Sequence, residues 1–187
     1  MDNAVKSSDL EFFLHEVPFS GWHDAALKQT GLDAHVTLAE LTAAFHDYMD
    51  EALINALRQK PFPSNRLTDK ITHLVMLRLA LYAPYKEQIK ALLGHYTLHK
   101  IQATQQLAYT TDLLWQLSGD APNDFSYYTK RTSLGTIYLA TLYYWLQDDS
   151  LQAENSRVFL QNRIGNLMQI GKLRRAVSSF FSSNNNA

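Results

Sequence analysis

Apolar residues recur along this chain at the three- and four-residue spacing of helices, and no alternating run is long enough to make a convincing strand. The pattern predicts an all-α fold, punctuated by seven glycines and five prolines. Ser8 followed by Glu11 has capping-box spacing and opens a short first helix ending near Glu16, ahead of a turn at Pro18. Ser20 caps a second, running from Gly21 through Trp22 and Leu27 to Gly31, a residue suited to the left-handed C-terminal position. Thr37 and Glu40 form another capping box and start a third helix. A fourth carries Tyr48, Leu53, Ile54 and Leu57 and stops before Pro61 and Pro63, which cannot continue the ladder of backbone hydrogen bonds.

Residues Pro61 to Asn65 read as a linker. From Thr68 to Ala83, Ile71, Leu74, Val75, Leu77, Leu81 and Tyr82 give a wide apolar stripe closed by Pro84, the mark of a buried helix. A short helix to about Gly94 follows, then a long one from His99 to Leu117. After a turn at Gly119 to Asn123, the segment Phe125 to Gln147 is apolar around most of its circumference and is predicted to be the central helix. A further helix runs from Leu151 towards Gly171, and Ser182 to Ala187 is a polar tail expected to be disordered.

Three short helices with a glycine-marked turn, backed by a longer bundle, predict a helix-turn-helix head over residues 1–60. A helical ligand-binding and dimerisation body over 61–181 and a tail over 182–187 complete one structural domain. That is the architecture of TetR-type regulators. Charge changes the picture. Affinity for duplex DNA comes mainly from Lys and Arg, yet none lies between Lys28 and Arg58, where Asp33, Glu40, Asp47, Asp50 and Glu51 stand instead. The head is therefore read as degenerate, with no nucleic acid as partner. A ligand-responsive transcriptional regulator remains the alternative.

Composition narrows the rest. The 187 residues carry seventeen basic against eighteen acidic side chains, so no global field draws the chain to polyanions. No cysteine is present, which removes disulfides and thiolate chemistry. The apolar run Ile137 to Leu146 falls well short of the roughly 20 residues that span a bilayer, so membrane contact is expected to be peripheral. Met1 to Leu10 has neither the make-up of a secretory signal nor that of a transit peptide. The expected location is a bacterial cytoplasm or inner-membrane periphery, or the mitochondrial matrix if a presequence has been removed.

The run Asp124-Phe125-Ser126-Tyr127-Tyr128-Thr129-Lys130-Arg131 leads on to Tyr138, Tyr144, Leu146-Gln147-Asp148 and Phe159-Leu160-Gln161-Asn162-Arg163-Ile164. Together with Val17-Pro18-Phe19-Ser20-Gly21-Trp22, Ala25-Ala26-Leu27, Arg78-Leu79 and Ala83-Pro84-Tyr85, it resembles the COQ9 family of ubiquinone-biosynthesis accessory proteins. The likeness extends from about Phe12 to Val177. It implies a TetR-type fold that has given up DNA binding, a homodimer and no catalytic activity or cofactor. It also implies a pocket for a phospholipid or isoprenoid quinone intermediate, presented to a partner, the di-iron demethoxyubiquinone hydroxylase. Carried over residue by residue, the family's partner-facing surface falls on Asp112, Leu114, Trp115, Asp124, Tyr127, Tyr128 and Arg131. Tyr127 stands where most relatives have Trp, a smaller aromatic anchor. Trp115 and the tyrosines are read either as such anchors or as packing between two helices. The family's C-terminal membrane-docking helix is represented by a remnant, Lys172, Arg174, Arg175, Phe180 and Phe181, read either as a headgroup contact or as a solvated helix end.

For the pocket itself, the two most apolar helices suggest Leu74, Leu77 and Leu81 facing Leu134, Ile137, Tyr138 and Thr141, with Gly135 leaving room; the same stripe also fits ordinary core. Other constellations fall short of chemistry. His95 and His99 have a metal-ligand spacing but no third ligand nearby, so no metal site is predicted. Asp148 and Asp149 adjoin a helix end and read as caps. Lys130 and Arg131 read as solvated cations that could alternatively hold a phosphate. No phosphate loop or nucleophile elbow is present.

Overall fold

The computed structural model describes residues 5–119 and 127–166, with side chains in the second segment from Arg131 onward. Among the described residues there are helices and no strand. Asp124, the side chains of Tyr127, Tyr128 and Lys130, the cluster Lys172, Arg174, Arg175, Phe180 and Phe181, and the tail 182–187 lie outside them.

Helix α1 spans Ser7–Ser20 and departs from expectation at both ends. It is capped at Lys6 with no side-chain hydrogen bond, so Ser8 and Glu11 do not form a capping box. At the other end it runs through Pro18. Proline has no N–H to give the carbonyl four residues back; here that carbonyl, of Leu14, accepts from Gln88 Nε2 at 2.8 Å. A side chain 74 positions from Leu14 thus replaces the missing helical bond, which local sequence could not announce. Ser20, predicted as a cap, instead donates to Glu16. Helix α2, Asp24–Thr30, is capped by the His23 ring, which accepts from Ala25 N at 3.2 Å. It ends as predicted on Gly31 in the left-handed region, φ 69°.

The predicted third and fourth helices are one, α3, spanning Leu38–Gln59. Its start matches expectation: Thr37 Oγ1 accepts from Glu40 N at 3.2 Å while Glu40 Oε2 accepts from Thr37 N at 2.8 Å. No glycine or proline interrupts it, and Leu41, Phe45, Met49 and Leu53 bury one stripe from end to end. Trp22 pins α3 to α1. Its indole packs edge-on against Phe13 and Phe45 with centroids 5.1 and 5.4 Å away, and its Nε1 donates to Thr42 Oγ1 at 2.9 Å.

Helix α4, Leu67–Tyr82, buries half of its residues. Leu74, Val75, Arg78 and Leu79 are fully buried, and α4 touches α3, α6 (Lys100–Ser118) and α7 (Tyr127–Trp145). The prediction that the Phe125 to Gln147 segment is central is corrected accordingly. Helix α7 leaves Tyr143 and Tyr144 exposed, since tyrosine offers an apolar body with a polar tip that tolerates water. Helix α5, Lys86–Leu98, passes the expected stop at Gly94. His99, at φ −113° and ψ 57°, then turns the chain into α6.

Beyond α7, Leu151–Ala153 form a short 3-10 turn and residues 154–166 are helical. Asp148 caps this last helix, accepting from Ser156 N at 2.8 Å, Ser156 Oγ at 2.6 Å and Ser150 N at 2.9 Å. Burial pushes its carboxyl up, and those hydrogen bonds more than reverse the effect, leaving it well below the usual carboxylate range. A continuous apolar core joins Leu10 in α1 to Ile164 in the last helix.

An apolar cleft with a neutral polar floor

On α5, Ile89, Leu92, Leu93 and Tyr96 follow one another at i, i+3, i+4 and i+7, so one face of the helix presents them together. The facing stripe of α6 has the same spacing but smaller or more polar side chains: Ala103, Gln106, Leu107 and Thr110. Large residues opposite small ones leave a gap, and α7 closes its far side with Tyr138, Leu139, Leu142 and Tyr143. The result is a half-open cleft of about 250 Å³ with no Asp, Glu, Lys or Arg in its lining.

Its floor is polar without being charged. His46 of α3 and Tyr82 of α4 reach it, and His46 Nε2 lies 2.7 Å from the Tyr96 hydroxyl, with the two rings stacked at 11°. His46 is 7% exposed, and its Nδ1 has no partner among the described residues. Burial, reinforced by the Arg78 charge, lowers its pKa to about 3, so the imidazole is neutral at physiological pH. Burial likewise raises the Tyr96 and Tyr138 hydroxyls.

Behind the floor lies Arg78, fully enclosed, with Nη1 2.5 Å from Asp50 Oδ1 and Nε donating to Tyr82 at 2.9 Å. Burial works against its charge, but Tyr82, Tyr138 and Asp50 outweigh it and hold the guanidinium protonated. Its charge is met from within the protein by Asp50, leaving hydroxyls and an imidazole to face the cleft.

His46 makes stability depend on pH. Its folded pKa of about 3 lies below the ordinary 6.5, so the unfolded chain takes up a proton that the folded one refuses. Stability is therefore complete above pH 6.5 and falls as pH drops towards 3, by about 1.4 kcal/mol per unit. Urea unfolding should show a loss of roughly 2–3 kcal/mol between neutral pH and about pH 4.5, and His46→Gln should flatten that slope. An equally steep slope in the variant would assign the effect elsewhere.

Of the residues proposed from sequence to hold a lipid, Tyr138 lies on the cleft wall. Leu74 and Leu134 are packed in the core, and Thr141 is enclosed with its hydroxyl on Ile137 O at 2.7 Å. Leu77, Leu81 and Ile137 are half-buried against the core and do not line the cleft. Gly135 looks towards α6 instead of α4: a Cβ built there would meet Leu107 and Thr111 at 3.5 Å. The α5 stripe was not proposed, although its spacing was readable.

In the partner-facing set, Asp112 and Arg131 form an ion pair tying α6 to α7. Leu114 is fully buried and Trp115 is 8% exposed, so both belong to the helix packing. Arg131 and Asp112 also border a more open groove with Tyr109, Thr132, Gly135 and Thr136. The rings of His95 and His99 stack 3.9 Å apart, and His99 Nδ1 lies 3.0 Å from the His95 carbonyl. Among the described residues, no group of three metal-capable side chains converges.

Comparison with known proteins agrees with this architecture. The family model described as COQ9 matches residues 101–171, which contain α6, α7 and the last described helix. The ubiquinone biosynthesis protein COQ9-B, mitochondrial, of Xenopus laevis is 28% identical over 96% of this chain and 66% of its own. The mitochondrial COQ9 of Bos taurus is 33% identical over 96% of this chain and 61% of its own. The chain thus spans about two thirds or less of the length of these relatives. In three dimensions it is similar to a TetR transcriptional regulator from Nitrosomonas europaea, with a TM-score of 0.63, 20% identity, and coverage of 83% of this chain and 93% of that one. At that identity the likeness speaks for the fold alone. A helical bundle of TetR type is thus joined to sequence likeness that runs nearly the whole length of the chain, and in both respects the chain resembles the COQ9 family of ubiquinone biosynthesis proteins.

Proposed function

We propose that this protein acts in ubiquinone biosynthesis as a non-catalytic accessory protein. It holds a hydrophobic lipid in the cleft between α5, α6 and α7 and presents it to the demethoxyubiquinone hydroxylase. The observation that carries this reading is the lining of the cleft, which is apolar on its walls and free of charged side chains throughout. A polyprenyl tail loses about 0.8 kcal/mol for each methylene exposed to water, so a protein wall along its path removes a large barrier.

Between the two ligand classes that the resemblance implies, the lining favours the isoprenoid quinone intermediate over a phospholipid. A phosphate needs cations or several N–H donors, whereas the floor offers the Tyr96 hydroxyl and a neutral His46. Those groups suit the carbonyl and phenolic oxygens of a quinone-type ring. The family's partner surface comes with this reading, centred on the Asp112 and Arg131 pair at the α6–α7 face. A homodimer and peripheral contact with a membrane belong to the same proposal. No described helix is long and apolar enough to cross a bilayer.

The alternative, a ligand-responsive regulator, has the fold in its favour and the charge against it. The stretch from Gln29 to Leu57 contains no Lys or Arg, so α3 brings no cation within that stretch to a phosphate backbone.

Native mass spectrometry of gently purified protein, followed by extraction, tests the proposal. A neutral isoprenoid at substantial occupancy is the expected result. Clean apo spectra would overturn the lipid-binding role, and a phospholipid alone would overturn the choice of headgroup.

A further inference from the structure

The corner where α5 meets α6 exposes apolar surface that the core does not use. Leu98, the last residue of α5, is 83% exposed, and Ile101, in the first turn of α6, is 79% exposed. Packing explains neither: two aliphatic side chains left in water beside a chain reversal stabilise nothing. Lys100 lies between them, also exposed.

The same corner is the rim of the cleft. Thr97, one residue before Leu98, and Ala103 and Thr104, two and three residues after Ile101, line its mouth. Its charge is one-sided as well. From Gln88 to Thr111 the sequence contains no Asp or Glu, while Lys100, His95 and His99 stand within it; Lys90 also does, but it is paired with Glu87 at 2.7 Å. Asp24 of α2 acts on His95 from outside that stretch.

We propose that the α5–α6 corner is the port through which the cleft meets an anionic lipid bilayer. Leu98 and Ile101 enter the interfacial layer, Lys100 meets the headgroups, and a lipid passes over the rim of Thr97, Ala103 and Thr104 into the cleft. The surface favours a bilayer over a protein partner because its two apolar side chains stand singly around a lysine with no carboxylate in the segment. That arrangement matches the boundary between acyl chains and anionic headgroups. This port rests on the proposed lipid-holding role.

The test uses the full chain with vesicles of phosphatidylcholine, alone or mixed with phosphatidylglycerol, read by co-sedimentation. The parent is expected to partition onto the mixed vesicles and to lose that binding as salt rises. Leu98→Asp/Ile101→Asp is expected to weaken partition by about tenfold or more. Leu98→Ala/Ile101→Ala, which adds no charge, should give an intermediate loss with an unchanged far-UV spectrum. The aspartate variant should also load a neutral prenyl lipid more slowly from vesicles, yet normally from detergent. Partition of the aspartate variant equal to the parent's would overturn the port, as would a parent that ignores both vesicles. Failure of the lipid-holding role reads differently: no lipid would load from detergent in any form of the protein, whatever the vesicles show.

Discussion

Asp50→Ala is expected to destabilise the fold by about 3–5 kcal/mol, because it strands the Arg78 charge inside the core. Arg78 is fully buried, while the Asp50 side chain is 26% exposed, so the carboxylate is the partner that water can partly replace. The guanidinium would keep the Tyr82 hydroxyl and lose the carboxylate paired with it. In a chain of this length the loss corresponds to a fall of roughly 10 °C or more in Tm by calorimetry. Arg78→Met in the same background removes the orphaned charge and should restore part of the stability, so the double variant should melt above Asp50→Ala alone. Strictly additive effects would mean that the two residues are not coupled. The consequence reaches the cleft, since Tyr82 and Tyr138 form part of its wall and both act on Arg78.

Much of the fold was readable from local pattern, and the failures have physical causes. The Thr37 and Glu40 box and the Gly31 stop are local chemistry and appear as predicted. Pro18 misled because its cost is met from α5, by Gln88, which no window around residue 18 contains. The split of α3 at its middle misread an apolar stripe that has no breaker within it. Placing the centre of the bundle on the Phe125 to Gln147 segment counted tyrosines as core, although Tyr143 and Tyr144 keep their edges in water.

The cleft was hidden for a different reason. Periodicity gives the direction in which a helix buries its face, and it is blind to whether protein or ligand fills the space. Leu74 and Leu134 therefore looked like cavity and are core. What makes the cleft is a difference in side-chain size between two helices, Leu92 and Leu93 on α5 against Ala103 and Thr110 on α6. Each stripe was visible in the sequence, but their pairing was not. Family likeness supplied the idea of a lipid, while the charge-free lining is a property that only the assembled helices possess.

Filling that space is the decisive perturbation. Leu139 lies half-buried on the α7 wall of the cleft and takes no part in the Asp112 and Arg131 pair. In Leu139→Trp the larger indole has the half-open cleft to enter, so strain in the core is small compared with overpacking at a site such as Leu142. Lipid recovered by extraction should fall by about tenfold or more, because a cleft of about 250 Å³ has no spare room for both an indole and a prenyl unit. Capture of the hydroxylase should persist, since the α6–α7 face is untouched, while hydroxylation of a membrane-embedded quinone precursor in the reconstituted pair should drop with the lipid content. Full lipid occupancy in a folded Leu139→Trp protein would move the ligand out of this cleft. Loss of hydroxylase capture together with the lipid would mean that binding the partner requires a loaded cleft, and the accessory would then act by presenting a filled surface instead of by passive storage.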